Sequence, residues 1–188
     1  MGAKFFFMDI ELRPPPRSCV VREFRTDDAA SLARHGNNRK VWLNLRDLFP
    51  HPYTEAHAAG YIAHVRKRPE ILSFAIDVGG QAVGGISLRR GEDIERFTAE
   101  LGYWLGEEYW GRGMTTDAIR DVTERGFALH GLIRIFAVPF TRNVASCRVL
   151  EKNGYAREGL MRQSAFKDGV AEDQYLYAAL REEYVPNK

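Results

Sequence analysis

The stretch that most constrains this chain runs from Glu100 to Ala118. Glu100-Leu101-Gly102-Tyr103-Trp104-Leu105-Gly106 reads as a strand, and Trp110-Gly111-Arg112-Gly113-Met114-Thr115-Thr116 turns it into a segment with helical spacing. A strand that enters a helix through a glycine-rich turn bares N–H groups and the positive end of the helix at one spot. An anion is expected there.

The rest of the chain supplies a sheet around this unit. Cys19 to Phe24 reads as a first strand, and Thr26 ahead of Asp27 and Asp28 predicts a helix N-cap, with the helix running to about His35. Asn37-Asn38 breaks it, an amphipathic segment is expected from Lys40 to Leu48, and prolines keep 49–53 extended. Thr54 is expected to cap a further helix, to about Lys67. Ile71–Val78 and Gln81–Arg90 form a predicted hairpin across Gly79-Gly80, and Thr98–Leu105 adds a third antiparallel strand. Ala118, Ile119, Val122, Gly126 and Leu129 share a helical face, with Gly131 as the stop. Leu132–Val138 is a nearly continuous apolar run, as in a central strand buried on both faces. Asn143 then caps a helix ending at Asn153-Gly154, and strands near Tyr155–Phe166 and Ala171–Leu180 flank Lys167-Asp168-Gly169. The order is that of a mixed α/β sheet in a single domain over residues 18–185. Residues 1–17, closing on Pro14-Pro15-Pro16-Arg17, read as an N-terminal arm or a remnant of expression.

Composition narrows the partners. With 27 Lys+Arg against 25 Asp+Glu the charge is too balanced for a general nucleic-acid or membrane footprint, so any preference for an anion is local. Cys19 and Cys147 show neither CxxC spacing nor a paired framework, which suits a reducing cytoplasm. No run of about 18 apolar residues occurs, so no membrane role is expected. His57 and His64 lie seven apart with no third ligand at suitable spacing, so no metal is expected. The glycine turn is not a P-loop, which needs Gly-x-x-x-x-Gly-Lys-Ser/Thr. It is not a dinucleotide turn either, since Thr116 stands where a third glycine is required. What remains is a turn that offers N–H groups of residues 111–116, the Thr115 and Thr116 hydroxyls and Arg112 to a phosphate.

The strand-turn-helix "AELGYWLGEEYWGRGMTTDA", followed one helix and one strand later by "NVASCRVLEKNGY", resembles the acyl-CoA signature of the GNAT superfamily of N-acetyltransferases. It is most similar to the branch of the Rim-type ribosomal-protein N-terminal acetyltransferases, over about Val20 to Tyr184 and including "NLRDLFPHPYT". The superfamily pattern Gln/Arg-x-x-Gly-x-Gly/Ala falls on Trp110, Gly113 and Thr115, and only Gly113 matches; the Rim-type branch has its own "WGRG" turn. The resemblance implies a single-domain GNAT fold: a mostly antiparallel twisted sheet with one splayed parallel strand pair and flanking helices. It implies acetyl-CoA as cosubstrate and a primary amine, on a small molecule or a protein N-terminus, as acceptor in a ternary complex. The protein would be a monomer or homodimer. A non-catalytic acyl-CoA-binding sensor of the same fold is the alternative.

By the same resemblance, Gly111, Arg112, Gly113, Met114, Thr115 and Thr116 grip the pyrophosphate. The main chain of Tyr103, Trp104 and Leu105 pairs with the pantetheine arm, Asn143 contacts that arm, and Ser146 lies near the thioester sulfur. Asn143 and Ser146, spaced i, i+3, also suit an N-cap and a packing contact. The superfamily's tyrosine acid falls on Leu150, which leaves Ser146 as the acid or no acid at all. A lysine-type amine, with pKa ~10.4, is neutral only a few times in roughly ten thousand at pH 7, against about a tenth of the time for an α-amine near ~7.8. A base therefore matters, and Glu100 is the candidate, on one strand face with Gly102 and Trp104. Its bland role would be a cross-strand pair with Arg89 or Arg90. Trp42, His51, Tyr53, His57 and His64 are candidates for the acceptor side. Cys147 sits about 100° round the helix from Ser146, which argues against a covalent acyl-enzyme.

Overall fold

A computed structural model describes residues 19–68 and 71–185, so the proposed arm at 1–17 lies outside the described residues. The elements run β1 (Val20–Glu23), α1 (Ala29–Gly36), α2 (Arg39–Trp42), α3 (Glu55–Val65), β2 (Ile71–Val78), β3 (Gln81–Arg90), β4 (Thr98–Leu105), α4 (Met114–Leu129), β5 (Arg134–Ala137), α5 (Val144–Lys152), β6 (Ala156–Lys167) and β7 (Val170–Leu180). Among the described residues seven strands form one sheet in the order β1-β2-β3-β4-β5-β7-β6. Every neighbouring pair is antiparallel except β4 and β5, which are parallel. This is the expected mixed α/β sheet with one parallel pair.

Strand alternation divides the core in two. Ile76, Val83 and Leu101 point into the larger cluster with Met114, Ile119, Val122 and Leu150 of α4 and α5, while their chain neighbours Ala75 and Ala82 join Leu32, Ala58 and Ile62 of α1 and α3 on the opposite face. Full burial of a side chain such as Ile119 or Leu150 contributes about 1.5–3 kcal/mol, so α4 and α5 are held chiefly by these faces. No helix among the described residues is long and apolar enough to cross a membrane.

Three local expectations are corrected. Thr26 opens a 3-10 turn, Thr26–Asp28, without capping it; the Asp28 carboxylate accepts the Arg25 N–H (2.7 Å) because a fork from Arg22 holds it in place. Past Asn38, whose side chain accepts the Lys40 N–H, helix α2 lasts only four residues. The remainder to Leu48 is turns, tied down by Arg142, which donates to the Leu43 carbonyl and to Asn44 Oδ1. In the last turn of α4, Leu129 is exposed and Phe127 takes the buried position.

Candidate active site

Strands β4 and β5 part company early. Their register runs Thr98↔Arg134, Ala99↔Ile135 and Glu100↔Phe136 and stops there, whereas β4 continues against β3 to Leu105. Gly91 N–H donates to the Thr98 carbonyl (3.0 Å) at one end of the β3–β4 ladder, and Gly106 N–H donates to the Val83 carbonyl (2.8 Å) at the other. The intervening register is unbroken, so the even-numbered residues of β4 turn their main chain to β3 and the odd-numbered ones turn theirs to the β5 side. The main chain of Tyr103 and Leu105 therefore lines the gap left by β5. Trp110 Nε1 donates to the Leu105 carbonyl (2.7 Å), which leaves Tyr103 N–H and C=O and Leu105 N–H facing it. Trp104 is placed differently: its main chain faces β3 and its ring packs near Phe49 (5.4 Å) and Tyr53 (6.4 Å), narrowing the expected main-chain contacts to Tyr103 and Leu105.

Beyond β4 the chain makes a 3-10 turn, Glu107–Tyr109, and then the glycine turn. Gly111 and Gly113 have φ of +74° and +84° and nothing stands where their Cβ atoms would be, so conformation and not crowding demands glycine. Gly113 caps α4 without a side-chain partner, and the first intrahelical bond is Asp117 N–H to the Gly113 carbonyl (3.1 Å). The N–H groups of residues 113–116 thus have no intrahelical acceptor. Met114, fully buried, anchors the turn; Thr115 and Thr116 are half-buried beside it, and the Arg112 guanidinium lies over the Tyr109 ring (5.8 Å). The turn is braced from α1 and α2: His35 Nδ1 meets Glu108 (3.0 Å), and Glu107 takes Lys40 and Asn38 Nδ2. Burial lowers the His35 pKa below its usual value, against the pull of Glu108.

Helix α5 reaches the same gap from the other strand. Asn143 Oδ1 accepts the Ser146 N–H (3.1 Å), so the N-cap reading of this pair holds. Ser146 Oγ lies 2.7 Å from the Tyr103 hydroxyl, a contact no spacing rule announces because 43 residues separate the two. The available signal was alternation: Tyr103 is odd-numbered on β4 and so faces α4 and α5, opposite to Glu100. Burial pushes the Tyr103 phenol well above its ordinary pKa. Cys147 is buried with its pKa also raised by burial, and Leu150 is fully buried and offers no acid.

Glu100 stands at the level where the strands part, on the α1/α3 face. It lies opposite Arg89 in register, yet its carboxylate pairs with Arg46 from the turns after α2, a partner not anticipated. Trp42 stacks on His51 (5.6 Å), and Phe49 stacks on Tyr53 (4.1 Å) next to Trp104 (5.4 Å), which shares its strand face with Glu100. His57 is engaged with Thr54 at the α3 N-terminus, and His64 is exposed on α3. Among the described residues no group of three or more His, Cys, Asp or Glu gathers as metal ligands would.

Residues 19–156 match the acetyltransferase (GNAT) domain family. The chain belongs to the GNAT acetyltransferases. YoaA of Bacillus subtilis, named an uncharacterized N-acetyltransferase, is 40% identical over 83 residues, 44% of this chain and 47% of YoaA. The ribosomal-protein-serine acetyltransferase of Escherichia coli K12 is 32% identical over 108 residues, 57% of this chain and 59% of that protein. This GNAT chain spans about half the length of the curated relatives it matches. Among solved structures, RimJ of Mycobacterium smegmatis in complex with CoA-disulfide shares the fold, with a TM-score of 0.77 at 24% identity over 87% of this chain and 82% of that one.

Proposed function

We propose that this GNAT protein transfers the acetyl group of acetyl-CoA directly to a primary amine, on a small molecule or a protein N-terminus, with both substrates bound together. The observation that carries this reading is the β4–β5 gap, with Glu100 on one sheet face and Ser146 on the other. Acetyl-CoA supplies an activated acyl group and a thiolate leaving group. The N–H groups of Gly111, Arg112, Gly113, Met114, Thr115 and Thr116, together with the Thr115 and Thr116 hydroxyls and Arg112, would hold its pyrophosphate, since such groups favour anions at a helix start. The N–H and C=O of Tyr103 would pair with the pantetheine amides as a neighbouring strand does, with Asn143 beside them, which leaves Leu105 N–H for the thioester.

In this reading Glu100 takes the proton from the acceptor nitrogen, directly or through one water, after Arg46 yields to the substrate cation. Leu105 N–H polarises the thioester carbonyl, and Ser146 faces the departing sulfur. The buried, high-pKa thiol of Cys147 supports direct transfer over a covalent acyl-enzyme. The name of the Escherichia coli relative, a ribosomal-protein-serine acetyltransferase, favours a protein as acceptor. Glu100→Gln tests the assignment: kcat should fall about 10²-fold with acetyl-CoA affinity by calorimetry unchanged, and weakly basic amines should suffer least. Wild-type turnover in that variant would remove Glu100 from the chemistry.

A further inference from the structure

We infer that Tyr103 is a positioning residue for the leaving sulfur, its phenol holding the Ser146 hydroxyl so that the serine's own hydrogen is directed into the β4–β5 gap. The inference rests on the acetyl-transfer reading of that gap. Tyr103 contributes twice to the site: its main chain lines the gap, and its side chain crosses beneath to the first turn of α5. There the phenol oxygen lies 2.7 Å from Ser146 Oγ and 3.4 Å from the Ser146 carbonyl oxygen.

The proton assignment follows from acidity. Either oxygen can donate across the 2.7 Å contact, and the phenol has a second acceptor in the Ser146 carbonyl at 3.4 Å; because a phenol is a far stronger acid than an aliphatic alcohol, we place its proton on the nearer acceptor, the serine oxygen. Burial raises the phenol's pKa, which keeps that proton in place at neutral pH. Ser146 N–H is already committed to Asn143 Oδ1, so the helix turn that carries the hydroxyl is fixed. Ser146 remains half-exposed, and its remaining hydrogen is free to meet a group in the gap.

When the acceptor nitrogen forms its bond to the acetyl carbon, the C–S bond breaks and its electron pair moves to sulfur. Glu100 has taken the ammonium proton beforehand, and the second proton that the nitrogen sheds as the amide forms passes through water to the sulfur, giving the CoA thiol. Ser146 O–H donates a hydrogen bond to the sulfur as negative charge develops there, and Tyr103 keeps its proton throughout. A hydrogen bond of this kind strengthens only as the sulfur becomes charged, so it acts on kcat and not on binding.

Tyr103→Phe removes one oxygen and keeps the ring. It should lower kcat about tenfold, as expected when the hydrogen bond from Ser146 to the charged sulfur is no longer aimed, with KM for acetyl-CoA and CoA affinity within about twofold of the wild type. Ser146→Ala should lose at least as much, and the double variant should be no slower than Ser146→Ala alone, because the two groups act as one. Should the Phe variant melt too early to assay, Tyr103→Met fills the space with a flexible chain and serves in the same cycle. A Tyr103 variant at wild-type kcat beside a slowed Ser146→Ala, or losses that multiply in the double variant, would overturn the role of Tyr103. Ser146→Ala at wild-type kcat would remove the serine itself, and a wild type that acetylates no amine would remove the underlying reading.

Discussion

Arg22 holds two buried carboxylates with one guanidinium. Its Nη1 and Nη2 fork onto Asp28 (2.7 Å each) and its Nε meets Asp77 (2.6 Å), joining β1 to the start of α1 and to the end of β2. Burial by itself would raise the Asp28 pKa, but hydrogen bonds from Arg22 and the Arg25 N–H outweigh it and hold the carboxyl below its ordinary value. Arg22→Met should cost about 3–5 kcal/mol in urea denaturation, since it strands charges that are only 4% and 7% exposed. A depressed carboxyl pKa contributes stability above the unfolded value and loses it as pH falls through the folded one, so the gap between wild type and variant should close in acid below about pH 3.8. A variant as stable as the wild type at neutral pH would contradict this. The strand position of Glu100 and the cap that joins Asn143 to Ser146 were legible in the sequence because local periodicity fixes them. Their partners Arg46 and Tyr103 were not, since contacts 54 and 43 residues apart belong to the tertiary packing.

At the scale of elements, β2, β3, β4, α3 and α5 follow from alternation, glycine turns and caps that act over a few residues. Where long-range bonds override local preference, the reading fails: Arg22 draws Asp28 away from a Thr26 cap, and Arg142 holds the turns after α2. The glycine turn is the element on which the proposed anion site depends. Gly113→Ala forces a side chain into φ of +84°, at a cost of about 1–2 kcal/mol, and tilts the N–H groups of residues 113–116. Acetyl-CoA affinity measured by calorimetry should drop at least about tenfold, while the protein still melts cooperatively. Unchanged affinity would show that the turn does not hold the pyrophosphate.

Seen whole, the protein uses one sheet to keep two cores apart, and the proposed chemistry divides between the same two faces. Helices α4 and α5 cover the face that carries the start of α4 and the Tyr103–Ser146 pair, and α1 and α3 cover the face with Glu100 and Trp104. Between them β4 and β5 part, because β5 stops at Ala137 while β4 runs on to Leu105, and in the proposed reaction this gap joins the two faces. Its existence follows from strand lengths, which the apolar run Leu132–Val138 overstated, since only Arg134–Ala137 pairs. The most direct measurement is incubation of the protein with acetyl-CoA and a panel of N-terminal peptides, polyamines and small amines, followed by mass spectrometry and free-thiol assay. The expected result is one acetylated amine class formed in step with released CoA thiol. Saturable acetyl-CoA binding with no acetylated amine anywhere in the panel would contradict the account.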